Sequence, residues 1–343
     1  IRDFAAKYDR IVVVEELDGI IESHCRNIGV NNVEGKAIFG CIGETITEKA
    51  GHLNLGIPGI MCTGTVGGCL FVSLYMNSLE NPESASWILL ILSSLFGAFL
   101  FASLTGAIYA VITITFRCNQ NITGLAITIF GNGLTQFLMH SYVDKSNFST
   151  AGKIIAQSLP FAENSDGVVK VLFGHGFYVY FAIFIALIAT FIFNRTKVGL
   201  NLRAIGENTA TADAMGVNIT LYKYVAILVG SGIAGFGGVF YIMDYVKGSW
   251  ENASTIEAFG WLAIALVIFT LWKPNISIIG SYLFGALYIA AFVFGNISFS
   301  EREVLKMLPY VITIIVLIVT SMMNKKENQP PQNLGLNYFR EDR

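Results

Sequence analysis

Charged residues cut this chain into long uncharged stretches, and their spacing is the first signal. Runs without Asp, Glu, Lys or Arg cover 50–79, 84–116, 118–143, 171–194, 224–243, 258–272, 274–300 and 307–324. A helix crossing the hydrocarbon of a bilayer needs roughly 20 mostly apolar residues. Seven of the runs reach or approach that length, and 258–272 does so with its flanks. The pattern predicts an all-α polytopic membrane protein with about eight transmembrane helices. A soluble helical core would have to hide every one of these segments.

Two polar stretches interrupt the pattern and still carry helix signals. In "RAIGENTATADAMGVN" (203–218), Asn208 is a start cap, Thr209 to Met215 form about two turns, and Gly216 is the stop. Ala210, Ala212 and Ala214 leave a small, smooth surface on a helix too short to stand alone in water, so it must pack against something. "GETITEKAGHLNLG" (43–56) is built alike, with Thr45 and Glu48 in capping-box spacing and Gly51 as the stop. Both open Gly-Glu. They are candidates for an internal repeat, expected as two short capped helices that face the cytoplasm with small residues exposed.

The two ends differ from the middle. Residues 1–39 hold 12 of the 46 charged residues, and "YDRIVVVEEL" followed by "DGIIESHCRNIG" reads as a buried strand and an amphipathic helix. Such a pair cannot form a domain alone. It is expected to be a fragment of a soluble α/β protein, ahead of a membrane domain at 40–324 and a disordered cytoplasmic tail at 325–343. The stretch 142–173 is expected to be an extracytoplasmic loop with one short helix. With 203–218 inside, alternation puts Lys49, Arg117, Arg195, Lys197, Arg203, Lys223 and Lys273 inside as well. The opposite side holds fewer cations and more acids, which agrees with the positive-inside rule and places both termini in the cytoplasm.

Composition sharpens the class. The chain is 54% hydrophobic and 13% charged, with a mean hydropathy of +0.59, about half the charge of a soluble domain. A net charge of −2 without a basic stripe gives no footing for nucleic acid. The five Cys (25, 41, 62, 69, 118) form no C-x-x-C pair, and the four His are scattered, so neither a metal site nor a cofactor is expected.

Few motifs carry chemistry. "GSGIAGFGG" (230–238) contains G-x-G-x-x-G, but inside an uncharged run it reads as helix packing, with Gly230, Ala234 and Gly238 on one face. The sequence has no phosphate-binding G-x-x-x-x-G-K-[ST], no G-x-S-x-G and no H-E-x-x-H, so it reads as a non-enzyme that does not hydrolyse nucleotide itself. The polar residues within the runs are mostly neutral. Asn54, Asn121, Asn132, Gln136 and Asn296 are candidates for lining a solute path, with hydrogen bonding between helices as the plainer role. Asn132 and Gln136 share a helix face. No run holds a carboxylate or a lysine, which points to an energy source outside the chain.

Four stretches together carry a family resemblance: "GETITEKAGHLNLGIPGIM", "NITGLAITIFGNGLTQFL", "VGLNLRAIGENTATADAMGVNITLYKYVAILVGSGIAGFGGVFY" and "GWLAIALVIFTLWKPNISIIGSYLFGAL". Over about residues 40–325 the chain resembles the membrane permeases of bacterial ABC importers in the branched-chain amino acid and ribose permease superfamily, nucleoside and simple-sugar branch. The resemblance implies that 203–218 is the coupling helix docking a cytoplasmic ATPase, through Arg203, Gly206, Glu207, Asn208, Ala212, Ala214 and Gly216. Gly43, Glu44, Thr45 and Glu48 would make a second cytoplasmic contact. It further implies a sister permease, an extracytoplasmic substrate-binding protein, an inner-membrane location, and nucleosides as the solute ahead of simple sugars or branched-chain amino acids. A secondary transporter is the rival class. Members of this family place a further apolar helix before "GETITEKAG", of which only "AIFGCI" is present. The stretch ahead of it resembles a segment of the large subunit of indolepyruvate ferredoxin oxidoreductase without its cofactor-binding or cluster-binding parts, and is read as a fusion or an artefact.

Overall fold

The computed structural model describes residues 37–157, 174–293, 301, 304–305, 307–323 and 329–338. The strand-helix expectation for residues 1–36 lies outside them. Among the described residues the chain is all-helical: α1 (Ile38–Lys49), α2 (Ile57–Asn77), α3 (Trp87–Ala110), α4 (Gln120–Ser141), α5 (Phe148–Ile155), α6 (Phe177–Arg195), α7 (Lys197–Glu207), α8 (Thr209–Ala214), α9 (Ile219–Val239), α10 (Ala253–Phe269), α11 (Pro274–Val293) and α12 (Leu308–Met323). π-helical turns extend α3 over Val111–Thr115 and α9 over Phe240–Tyr245.

Each uncharged run became one apolar helix. With their π turns counted, α2, α3, α4, α6 and α9 are long and apolar enough to cross a membrane; α10 and α12 are shorter apolar helices, and α11 is a 20-residue apolar helix. Their burial sorts them into layers. In their most apolar stretches α2 is 83% and α9 72% buried, against 39% for α3 and α4 and 33% for α6. The outer helices turn Leu92, Phe96, Leu104, Ile129, Phe184 and Phe191 outward, the apolar belt that lipid requires. The short helix expected in 142–173 is α5, whose Phe148, Ala151 and Ile155 are buried.

Glycine decides how closely the inner helices approach. A Cβ on Gly43 of α1 would run into the Gly230 carbonyl of α9, and one on Gly64 of α2 into the Cα of Gly235. Gly238 faces Thr65 in the same way. The stripe Gly230, Ala234, Gly238 is therefore a packing surface. Phe39 closes the top of this contact, with its ring centroid 5.8 Å from Phe236 and 6.0 Å from Phe181.

Three expectations are corrected. Thr45 and Glu48 form no capping box, because α1 begins at Ile38 and both lie in its interior. The helix is also not exposed, since Ile38 to Glu48 are all buried. The tail is not disordered at 329–338. Its Asn333 N–H donates to the Gly206 carbonyl at 2.9 Å and its Gly335 N–H to the Gly51 carbonyl at 3.3 Å. Asn337 Nδ2 donates to the Arg117 carbonyl at 2.7 Å, and Pro331 is buried. Its polar composition suggested solvent, yet two of its backbone N–H groups and the Asn337 side chain satisfy carbonyls near helix ends.

Gly230→Leu should destabilise the folded chain by about 1–3 kcal/mol or more, because backbone cannot move aside for it. Gly133→Ala, with nothing within 4 Å of the added carbon, should be neutral or gain about 0.5–1 kcal/mol. Thermal unfolding of the detergent-solubilised variants separates the two.

Candidate functional site

The polar stretch after α6 folds as two helices joined at one residue. Thr196 caps α7 by accepting the Gly199 N–H at 3.2 Å, and Asn208 caps α8 by accepting the Thr211 N–H at 2.9 Å. Asn208 is itself extended (φ −151, ψ 95), which breaks the helix. Gly216 ends α8 with φ +81, the left-handed stop its sequence position predicts. The helix is one residue shorter than expected, six residues.

Its faces differ from the uniform alanine surface. Ala212 is 3% exposed and packs with Ile205 and Ile219, against Val217, Tyr222 and Tyr338. Gly206 is buried too, and a Cβ there would run into the Lys49 carbonyl. Ala212 and Gly206 are thus structural, not available to a partner. Arg203, Glu207, Asn208, Ala214 and Gly216 are exposed, joined by Ala210, Thr211 and Met215, the last 80% exposed. Met215 was missed by sequence reasoning. Its place one residue after the last helical residue, beside a glycine stop, is the signal that could have found it.

The companion patch is interior. Glu44 is 1% and Glu48 3% exposed, with Gly43 and Thr45 also buried, so none of the four forms a docking surface. Asn54, also fully buried, donates its N–H to Glu44 Oε1 at 3.0 Å while its own Oδ1 accepts the Gly56 N–H at 3.0 Å, and the Trp272 indole N–H donates to Glu48. Burial raises both carboxyls, Glu44 further through the charge of Glu48, and Glu48 to about 7. α1 is not among the helices long enough to span a membrane. Gly51 ends it with φ +81, matching Gly216.

The candidate path residues divide. Asn132 and Gln136 are both half-buried on α4, and Asn132 Nδ2 donates to Glu257 of α10. Asn121 is exposed at the start of α4, Asn54 is a loop clamp, and Asn296 lies outside the described residues. The uncharged runs hold no carboxylate or lysine, as expected, but the apolar helices extend past them and carry both at their ends. Lys223 (4% exposed) lies in the first turns of α9, and Asp244 (5%) in its π turn. Both sit one residue outside an uncharged run, so run boundaries hid them.

The family model described as branched-chain amino acid transport system / permease component matches residues 37–317. The chain belongs to that family. The permease is 31% identical over 82% of its length to the nucleoside ABC transporter permease protein NupC of Lactococcus lactis, covering 87% of it. It is 27% identical to the guanosine ABC transporter permease protein NupQ of Bacillus subtilis, over 82% of this chain and 86% of NupQ. It is also 31% identical, over 72% of this chain and 70% of the relative, to TsgC13 of Haloferax volcanii, a protein named for glucose ABC transport. This is a multi-pass membrane permease subunit, not an enzyme.

A carboxyl with a raised folded pKa favours folding below its unfolded value and loses that contribution as pH rises through the folded one. The permease should therefore lose stability on the order of 3 kcal/mol through Glu48 as pH rises from about 4.5 to 7, with Glu44 acting in the same direction. Glu48→Gln should flatten that slope. Comparing unfolding of wild type and variant across this range cancels His52, whose burial-lowered pKa acts in the opposite direction.

Proposed function

We propose that this permease is the membrane-spanning subunit of an ATP-driven importer for nucleosides. It sits in the bacterial cytoplasmic membrane with α7, α8 and both termini on the cytoplasmic side. All eight apolar helices cross the bilayer. A cytoplasmic ATPase, a sister permease and an extracytoplasmic substrate-binding protein complete the machine. The observation that carries the reading is α8 itself: a capped helix fixed to the body by Ala212 on one side, with Ala210, Thr211, Ala214 and Met215 exposed on the other. Anchored so, it can pass a partner's motion to the membrane helices as a rigid lever.

The solute path is proposed to run past Asn132 and Gln136 of α4 and Glu257 of α10. Asn132 lies about 18 Å along α4 from its first residue, near the middle of a hydrocarbon layer of roughly 30 Å. Amide donors beside a carboxylate acceptor suit hydroxyl and base edges of a neutral solute. The names of NupC and NupQ favour nucleosides. The name of TsgC13 favours a simple sugar as the second reading.

With its partner subunits, the permease should take up labelled nucleoside in a manner that needs ATP and resists ionophores, with glucose a poor competitor. Ion-gradient dependence would instead place it among secondary carriers. Ala214→Trp should insert normally yet lose ATPase co-purification at least tenfold, whereas Ala212→Trp should lower the amount of folded protein. Wild-type uptake by Ala214→Trp would overturn the coupling role. Asn132→Leu should cut nucleoside uptake about tenfold while leaving ATPase co-purification intact, and unchanged uptake would remove α4 from the path.

A further inference from the structure

A cavity of about 470 Å³ lies between α8, the start of α9, the end of α3 and the tail. Its walls include His52, Arg117, Lys223, Asp213, Asn337 and Tyr338. The volume falls within the roughly 300–1,000 Å³ of small-molecule sites.

The cavity's polar groups form an unusual set. Lys223 is 4% exposed and has no hydrogen-bond or ion-pair partner among the described residues. A buried ammonium without a partner is costly, and such groups are normally paired. His52 is 2% exposed, and neither ring nitrogen has a hydrogen-bond partner. Arg117 joins them from a left-handed backbone position (φ 55) that disfavours a long side chain. The acid in the wall, Asp213, accepts the Tyr338 hydroxyl at 2.8 Å. Ile219 and Thr220, the first turn of the 21-residue α9, form another wall, and a helix N-terminus favours an anion. Ile114, Val217 and Tyr338 add apolar surface beyond these donors.

From this constellation we infer that the cavity binds a phosphate monoester, with the phosphate at Lys223, Arg117, His52 and the α9 N-terminus, and the organic part against Tyr338 and Val217. The bound molecule bridges α8 to the tail, because Gly216 and Asp213 lie on one wall and Asn337 and Tyr338 on another. Occupancy therefore stiffens the element that faces the proposed ATPase. The site does not depend on which solute the permease carries.

Binding is measured on the full purified chain in nanodiscs, by calorimetry and thermal shift. The probes are inorganic phosphate, adenosine monophosphate and unphosphorylated adenosine, in discs of phosphatidylcholine alone or with phosphatidic acid. Adenosine monophosphate should raise the unfolding temperature where adenosine does not. Lys223→Met should weaken its binding at least tenfold while the ligand-free variant is as stable as wild type or more so, having lost a buried unpartnered charge. Lys223→Arg should retain binding. If phosphatidic acid gives the Lys223-dependent shift in place of the soluble monophosphate, the monoester comes from lipid and the site stands. If no phosphate-bearing probe binds, or if Lys223→Met binds as well as wild type, the inference is overturned.

Discussion

The backbone contact of α9 with α1 and α2 is the constraint from which the rest follows. Between helices in lipid there is no hydrophobic driving force, so association rests on van der Waals contact and hydrogen bonds. Contact of that kind is strongest where side chains are smallest. Gly43 against Gly230 and Gly64 against Gly235 bring three helices to backbone distance. Beyond that approach, Gly51 ends α1 in the left-handed conformation. The end of α1 sets Lys49 and Gly51 against Gly206, and Gly206 sets the position of α8. The membrane interior and the exposed helix are thus linked through a short series of glycine contacts.

The sequence reading was strong wherever a feature depended on local pattern. Charge gaps located the eight apolar helices, because burial in lipid leaves no room for ions along their length. Asn208, Gly216 and Gly51 were legible as a cap and two stops, since each satisfies backbone groups within a few residues of itself. The Gly230, Ala234, Gly238 stripe was legible for the same reason. The reading failed where the deciding partner is remote. Thr45 and Glu48 have capping-box spacing, but seven residues before the proposed cap already belong to the helix, and α9 covers it. Ala212 and Ala214 look alike in sequence, and only Ile205, Ile219 and Tyr338 decide which faces inward.

The tail shows the same limit from the other direction. Residues 329–338 have the composition of a solvated segment, yet they hydrogen-bond Gly51, Gly206 and Arg117, which lie far apart in the chain. Gln120 joins this arrangement by accepting the Leu53 N–H at 2.9 Å and donating to Asn337 at 3.3 Å. A six-residue helix has little stability of its own. Here it is held by one cap, the buried side chains of Thr209 and Ala212, and a strap that arrives from the far end of the chain.

The π turn at the C-terminal end of α9 has a geometric consequence. Each residue of an α-helix advances the screw by about 100°, so one extra residue in a turn puts all later side chains out of phase with those before it. Along Ile219–Val239 a small-residue face meets α1 and α2. After Phe240 that phase is lost, and Asp244 turns inward beside Gly176, where a Cβ would run into its carboxylate. A single helix therefore presents two differently phased inner surfaces: a small-residue one through most of its length, and at its last turn one that sets a single buried carboxylate among Phe240, Tyr241, Ile242 and Met243.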